Sequence, residues 1–401
     1  MTHKGRPGDD TSPGRLASRR ALFVVAFYFA MIGATMGTWS ARTPDVKSTV
    51  GLGDAGWGLI TMASAIGTIL TLAYVTRVIG RTGARPMVVI GPVVMLGGLT
   101  ACFFVGSQLA LVLFLLIWGV GVGLSNTANV YAVSVERERR KPTMGFFHAS
   151  FSIGLLAGSG ITALAVLAGV SAGPQVALTA VVLLLALARL APRPPRDILR
   201  RNPEEAPISE GAAPPARTPR QIWLIGMVAM LGQFAEGASF AWMAVYASER
   251  LGASDFVAGM IVTGFASAQL IGRLLGDRYV AAVGRRLTLV GSGLVGAVAL
   301  TLGLIVNDVP SVAAGFFLLG GSLATIVPTA YGAAGNHPEY GSGIAIAKVS
   351  LLGQPGLLSG PLLIGLASTV VGLRWGLMLI PLASCLLALI SLRIRDHGIL
   401  G

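Results

Sequence analysis

Residues 109–133 read LALVLFLLIWGVGVGLSNTANVYAV, twenty-five positions without a charged side chain. As an α-helix rising about 1.5 Å per residue, this run is long enough to cross a hydrocarbon core of about 30 Å. A chain crossing lipid must satisfy its own backbone, which leaves helices or closed barrels. The run lacks the period-two alternation of a barrel strand, so it is read as a membrane helix. Gly119, Gly121 and Gly123 lie inside this apolar run. There they favour close helix packing over a phosphate-binding loop.

Working outward, the same pattern recurs along the chain. The expected spans are 20–41, 55–76, 86–106, 109–133, 143–168 and 174–191, then 221–247, 254–276, 287–306, 310–333, 343–370 and 374–392. Composition agrees: 54% of the 401 residues are hydrophobic and only 12% charged, too few charges to coat a soluble globule. Arg19-Arg20 precedes the first run without a cleavage site after it, so that run is read as a retained helix. Cys102 and Cys385 sit in separate apolar runs with no ligand spacing and are read as packing residues.

A net charge of +13 is a reason to consider nucleic acid, but its placement follows membrane topology. All but five of the 30 Lys and Arg residues fall on the side of the N-terminus; Arg42, Lys47, Arg250 and Arg374 face the other side and Lys348 is embedded. The positive-inside rule puts both termini in the cytoplasm, with the spans in the inner membrane. Residues 1–18 and 394–401 are expected to be cytoplasmic tails. The Pro- and Arg-rich stretch 192–220 has almost nothing to bury and is expected to be a flexible linker between segments 19–191 and 221–393.

These two segments resemble each other at an offset of about 200 residues. Trp39-Ser40-Ala41 matches Trp242-Met243-Ala244, and Leu52-Gly53 matches Leu251-Gly252. Gly83-Ala84-Arg85 matches Gly284-Arg285-Arg286, and His148-Ala149-Ser150 matches Lys348-Val349-Ser350. Their common order implies a six-plus-six duplication in an all-α membrane protein of twelve helices.

The stretch Gly272-Arg273-Leu274-Leu275-Gly276-Asp277-Arg278 with Gly284-Arg285-Arg286 resembles the acidic-basic signature of the major facilitator superfamily. The first-half version, Gly80-Arg81-Thr82-Gly83-Ala84-Arg85, has glycine where the family usually has aspartate. More narrowly, the chain resembles the YbjJ-like branch. That likeness rests on Asn129 through Arg137 leading into Phe147-His148-Ala149-Ser150-Phe151-Ser152, on Glu236-Gly237-Ala238 with Trp242, and on Gly360-Pro361-Leu362-Leu363-Ile364-Gly365. Ser125 and Ala241 stand where that branch would carry aspartates. The resemblance implies a transporter of two six-helix halves around a central cavity. It also implies gating by Asp277, Arg273, Arg278, Arg81 and Arg85 on the cytoplasmic side.

The ionisable and polar residues at membrane depth are the candidate site. Glu236 is the only acid well inside a span, with Gln233 on the same helical face. Burial disfavours an ionised carboxyl, so Glu236 is the first candidate for proton coupling and His148 the second. Substrate-cavity candidates are Trp39, Arg42, Asn126, Asn129, His148, Gln233, Glu236, Trp242 and Lys348. Packing is the competing reading for several: interhelical glue for the asparagines, snorkelling for Lys348 and interface anchoring for Arg42. Gly356 and Gly360-Pro361 are read as a bend and a close-packing device.

No Walker sequence, metal cluster or nucleophile elbow occurs, so neither an enzyme nor a cofactor is expected. The function this supports is secondary active transport of a small organic solute by alternating access, as proton-coupled efflux. Proton-linked uptake of a sugar or other polar metabolite is the alternative, and a non-transporting membrane receptor is the reading from another class. The expected partners are the solute, protons and membrane lipid, with the chain a monomer.

Overall fold

The computed structural model describes residues 13–139, 143–190, 218–337 and 342–395, and among them the backbone is helical nearly throughout, without a strand. The first helices are α1 (Pro13–Ala41), α2 (Thr43–Thr49), α3 (Asp54–Thr82), α4 (Arg85–Ala101), α5 (Gln108–Ser125), α6 (Ala128–Arg139), α7 (Met144–Leu167) and α8 (Ala172–Leu190). There follow α9 (Arg220–Leu251), α10 (Asp255–Val283), α11 (Arg285–Val306), α12 (Val309–Gly335), α13 (Ser342–Val371), α14 (Leu373–Gly376) and α15 (Leu379–Ser391). Among the described residues, eleven helical stretches are long and apolar enough to cross a membrane, and α4 is a shorter apolar helix.

Several expected boundaries change. The run 109–133 is one crossing but two helices, broken at Asn126 and Thr127. The Asn129 side chain donates to the Asn126 carbonyl (2.9 Å) and the Thr127 hydroxyl to that of Leu124 (2.7 Å). Short polar side chains compete here with helical backbone bonding. The 86–106 expectation shortens to α4, because the chain turns after Ala101 and Ser107 then caps α5 by accepting from the Ala110 amide (3.2 Å). The 254–276 expectation is two turns too short, since α10 continues to Val283. Helix α1 starts at Pro13, inside the stretch expected to be a disordered tail; proline suits a first helical turn. Helix α2 is an addition to the expected spans. Residues 192–217 of the expected linker and 396–401 of the C-terminal tail lie outside the described residues.

Most packing falls within two sets, α1–α8 and α9–α15. In the first, α1 lies along α7 through glycine: a Cβ at Gly154 would sit 1.9 Å from the Ala30 carbonyl oxygen, and one at Gly33 2.0 Å from that of Phe151. In the second, Gly356 and Gly360 of α13 meet α9, with 1.9 Å from an added Cβ at Gly356 to the Met230 carbonyl oxygen. Lipid offers no hydrophobic drive between helices, so backbone proximity supplies the contact. Large apolar side chains such as Val182 and Leu185 of α8 or Val298 and Leu302 of α11 stay exposed, as expected of an outer ring facing lipid.

The sets meet along α7 with α10 and α3 with α13. We call the face holding the starts of α1 and α9 the basic face, after Arg77, Arg81, Arg85, Arg278, Arg285 and Arg286. The opposite one, with α2, is the far face.

Candidate functional site

A cavity of about 260 Å³ lies between the sets. Helix α1 contributes Ile32, Met36 and Trp39; α3 contributes Thr61, Ser64, Ala65, Thr68 and Leu72; α9 contributes Gln233, Gly237, Phe240 and Ala241. These steps of three and four residues are single helix faces. Trp118, Val122, Asn126, Phe151, Gln354, Leu357 and Pro361 complete the wall, and no lining side chain is charged. Trp39 stacks on Trp57 (centroids 5.8 Å apart, planes 15° apart) and tilts against Trp118 (5.3 Å). Such aromatic pairs add stiffness beyond the area they bury.

Toward the far face the cavity is shut. Lys47 of α2, with only 4% of its side chain exposed, places Nζ 2.8 Å from Asp54 Oδ1 and 2.6 Å from Glu249 Oε2 of the other set. Arg250 Nη2 reaches back to Asp54 Oδ2 (3.0 Å). The same Lys47 ammonium lies 5.9 Å from the Trp242 ring centroid. Below this network Ser40 Oγ donates to the Phe240 carbonyl (2.8 Å) and Trp57 Nε1 to that of Ala241 (3.1 Å). Gly58 and Gly365 let α3 and α13 touch, an added Cβ at Gly58 lying 2.5 Å from the Pro361 carbonyl oxygen. Sequence places Lys47 and Arg250 on this side but marks none of Lys47, Asp54, Glu249, Arg250 or Trp57 as a site residue; the pairing of Lys47 and Asp54 with the Glu249-Arg250 doublet becomes visible only when α2 and α9 are brought together.

Beside the cavity sits a second group of polar residues. Glu236, midway along α9, accepts from Gln269 Nε2 of α10 (2.7 Å) and lies 3.9 Å from Arg273 Nη2. Arg273 Nη1 crosses to the other set, donating to Ser152 Oγ (2.5 Å) and the His148 carbonyl (3.4 Å) of α7, with its guanidinium 5.2 Å from the Phe151 ring. Arg273, grouped by sequence with the cytoplasmic gating residues, stands ten residues before the end of α10, about 15 Å back along the helix, because the helix runs on past the expected boundary. Ser152 lies within one of the resemblance stretches, but nothing in the sequence marks it as a site residue.

Other candidates divide. Trp39, Asn126 and Gln233 line the cavity. Trp242 stands behind the wall, fully buried, donating Nε1 to the Pro361 carbonyl (3.1 Å) and so holding α9 to α13. Asn129 spends its amide on the helix break instead of the cavity. Arg42 is not a cavity residue either: it is 3% exposed and bound to the Val170 carbonyl (2.8 Å), Gln175 Oε1 (3.3 Å) and Asp45 (3.4 Å). Burial raises the Asp45 carboxyl above its ordinary range, with Arg42 pulling the other way. His148 brings its backbone to Arg273, while its ring packs edge-on against Phe29 (5.7 Å). Lys348 lies over the Trp223 ring (5.9 Å), near the basic face and away from the lining, because its long stem can snorkel there. On that face Asp277, Arg278, Arg81 and Arg85 are exposed and make no ion pair among the described residues.

The Major Facilitator Superfamily model matches residues 21–257, more than half of the chain. The chain belongs to this superfamily. As a member of it, the protein is a multi-pass membrane transporter of small molecules and not an enzyme. Its relatives include an uncharacterised MFS-type transporter of Yersinia pestis, 29% identical over 345 residues and covering 85% of this chain and 86% of the relative. Membrane protein MosC of Rhizobium meliloti is 24% identical over 393 residues, covering 97% and 93%. Among solved structures, a point mutant of the nucleoside transporter NupG superposes with a TM-score of 0.71 at 12% identity over 94% of this chain and 99% of that one. A bacterial homologue of the human lysosomal transporter Spinster, solved inward-facing and unoccupied, gives 0.73 at 13% identity over 96% and 99%. At such identities these structures establish the fold alone.

Proposed function

We propose that this superfamily member is a proton-coupled exporter of a small organic solute, working by alternating access between two six-helix halves. In this reading α4 is the twelfth crossing, both termini are cytoplasmic in the inner membrane, and the structure is the cytoplasm-facing member of the cycle. The observation that carries it is the group at Glu236. An acid at membrane depth is costly unless partnered or used. Its neighbour Arg273 also holds the opposite set through Ser152. Protonating Glu236 removes its attraction for Arg273, so the charge of one residue biases how α10 sits on α7. Gln269 serves either form, donating to the carboxylate or, with its amide turned, accepting from the acid.

The far-face network of Lys47, Asp54, Glu249 and Arg250 closes the outer end in this state. Asp277 and its neighbouring arginines are the groups that close the inner end in the other. Export is assigned because the uncharged, mainly apolar wall, with Trp39 and Trp118 in it, suits a compact organic compound leaving the cell more than a charged metabolite. Proteoliposomes holding a pH-sensitive dye test the coupling: solute moving one way should drive protons the other. Solute flux without proton movement would remove the proton from the mechanism.

A further inference from the structure

We infer that the cavity selects an uncharged, ring-bearing solute that carries both hydrogen-bond donors and acceptors, and that Asn126, Gln233 and Gln354 are the residues that read it. This rests on the cavity being the transport site. Among the described residues, every Asn and Gln side chain outside the cavity is already engaged. Gln175 binds Arg42 and Thr162, Gln269 binds Glu236, Gln108 the Val50 carbonyl, and Gln221 the Arg393 carbonyl. Asn129, Asn307 and Asn336 are likewise bonded. The three amides with no side-chain hydrogen bond are the three that line the cavity, and they come from both sets.

A primary amide offers two donors and an acceptor, and leaving these unpaired in a desolvated site is unfavourable. Three of them around one space therefore call for a ligand with complementary groups. The hydroxyls of Thr61, Ser64 and Thr68 already donate to backbone carbonyls, so they have only lone pairs to offer. The chain also makes room for one amide: a Cβ at Gly353 would lie 2.3 Å from Gln233 Nε2.

The rest of the wall sets the remaining properties. Trp39, Trp118 and aromatic neighbours present flat apolar surface suited to a ring. No lining residue supplies a counter-charge, and the nearby Glu236 is occupied by Gln269 and Arg273. An ionic ligand would be desolvated without compensation. At about 260 Å³ the space falls below the usual range for drug-sized ligands, which points to a compact one- or two-ring compound.

Matched triads test this on the full chain in nanodiscs. One is nicotinamide, nicotinate and the N-methylnicotinamide cation; the other is the corresponding carboxamide, carboxylate and N-methyl cation of quinoline. The neutral member of at least one triad should raise Tm and bind at least tenfold tighter than both charged members. Gln233→Leu should lose roughly tenfold of that affinity, and Gln354→Ala, the milder truncation, should lose affinity if the first variant fails to fold. A charged member binding as well as its neutral partner, or neither neutral amide binding, would overturn the assignment. Probe binding is read on purified protein with no gradient imposed, so a failure of proton coupling appears only in vesicles and leaves this result standing.

Discussion

Replacing Lys47 with alanine should unlock the far face. Lys47 bridges Asp54 of its own set and Glu249 of the other, at 2.8 Å and 2.6 Å, with 4% of its side chain exposed. Removing one partner of a fully buried pair costs about 3–5 kcal/mol. Only part of that depends on the state. The Asp54 contact survives opening, Asp54 keeps Arg250 at 3.0 Å while the face is closed, and Glu249 is 32% exposed and partly screened. The link to Glu249 and the contact with Trp242 remain, for a state-dependent loss of about 2 kcal/mol. By population-shift arithmetic this moves the equilibrium roughly 30-fold toward an open far face. Spin labels at Ser48→Cys and Ser254→Cys, one on each set and both exposed, would read the change by pulsed electron resonance. The wild type should give mainly a short distance and Lys47→Ala a substantial longer one. Glu249→Gln should act in the same direction and add little to Lys47→Ala. An unchanged distance distribution in Lys47→Ala would refute the claim that this network holds the face shut.

Asp277→Asn should impair solute flux with expression retained, because the proposed inner closure pairs Asp277 with the arginines around it; unchanged flux and unchanged inner accessibility would show it to be an interface anchor. Gly154→Val should destabilise the protein by at least about 2 kcal/mol, since the new side chain meets the Ala30 carbonyl; a thermal melt equal to wild type would contradict the α1–α7 packing. Arg42→Met should lower stability by about 2 kcal/mol, leaving Gln175 Oε1 and the Val170 carbonyl without their donor, while half-saturation for the solute stays unchanged.

What can be read from sequence follows from signals local to one helix. Long apolar runs mark the crossings, and Glu236, Gln233, Trp39 and Asn126 stand out as polar or aromatic residues at membrane depth. What sequence misses depends on partners distant in the chain. Arg273 reads as a surface arginine until α10 is seen to extend to Val283 and bring it beside Glu236. Lys47 and Glu249 are about 200 residues apart and pair only through the packing of α2 on α9. Gln354 is hidden in the same way: one polar residue before Pro355 becomes a candidate reader only when it faces Gln233 and Asn126 in one cavity. Arg42 errs in the opposite direction, because helix-end geometry places it beside Trp39 while the turn after Ala41 carries it to α8.

Proton coupling through Glu236 is tested most directly by Glu236→Gln in reconstituted vesicles with an imposed pH gradient, against wild type at equal protein. The neutral amide keeps the shape and the bond to Gln269 but cannot exchange a proton. Solute movement against its own gradient should be lost while solute exchange across the membrane persists. If the variant still accumulates solute against its gradient, Glu236 is a packing residue and the coupling runs elsewhere.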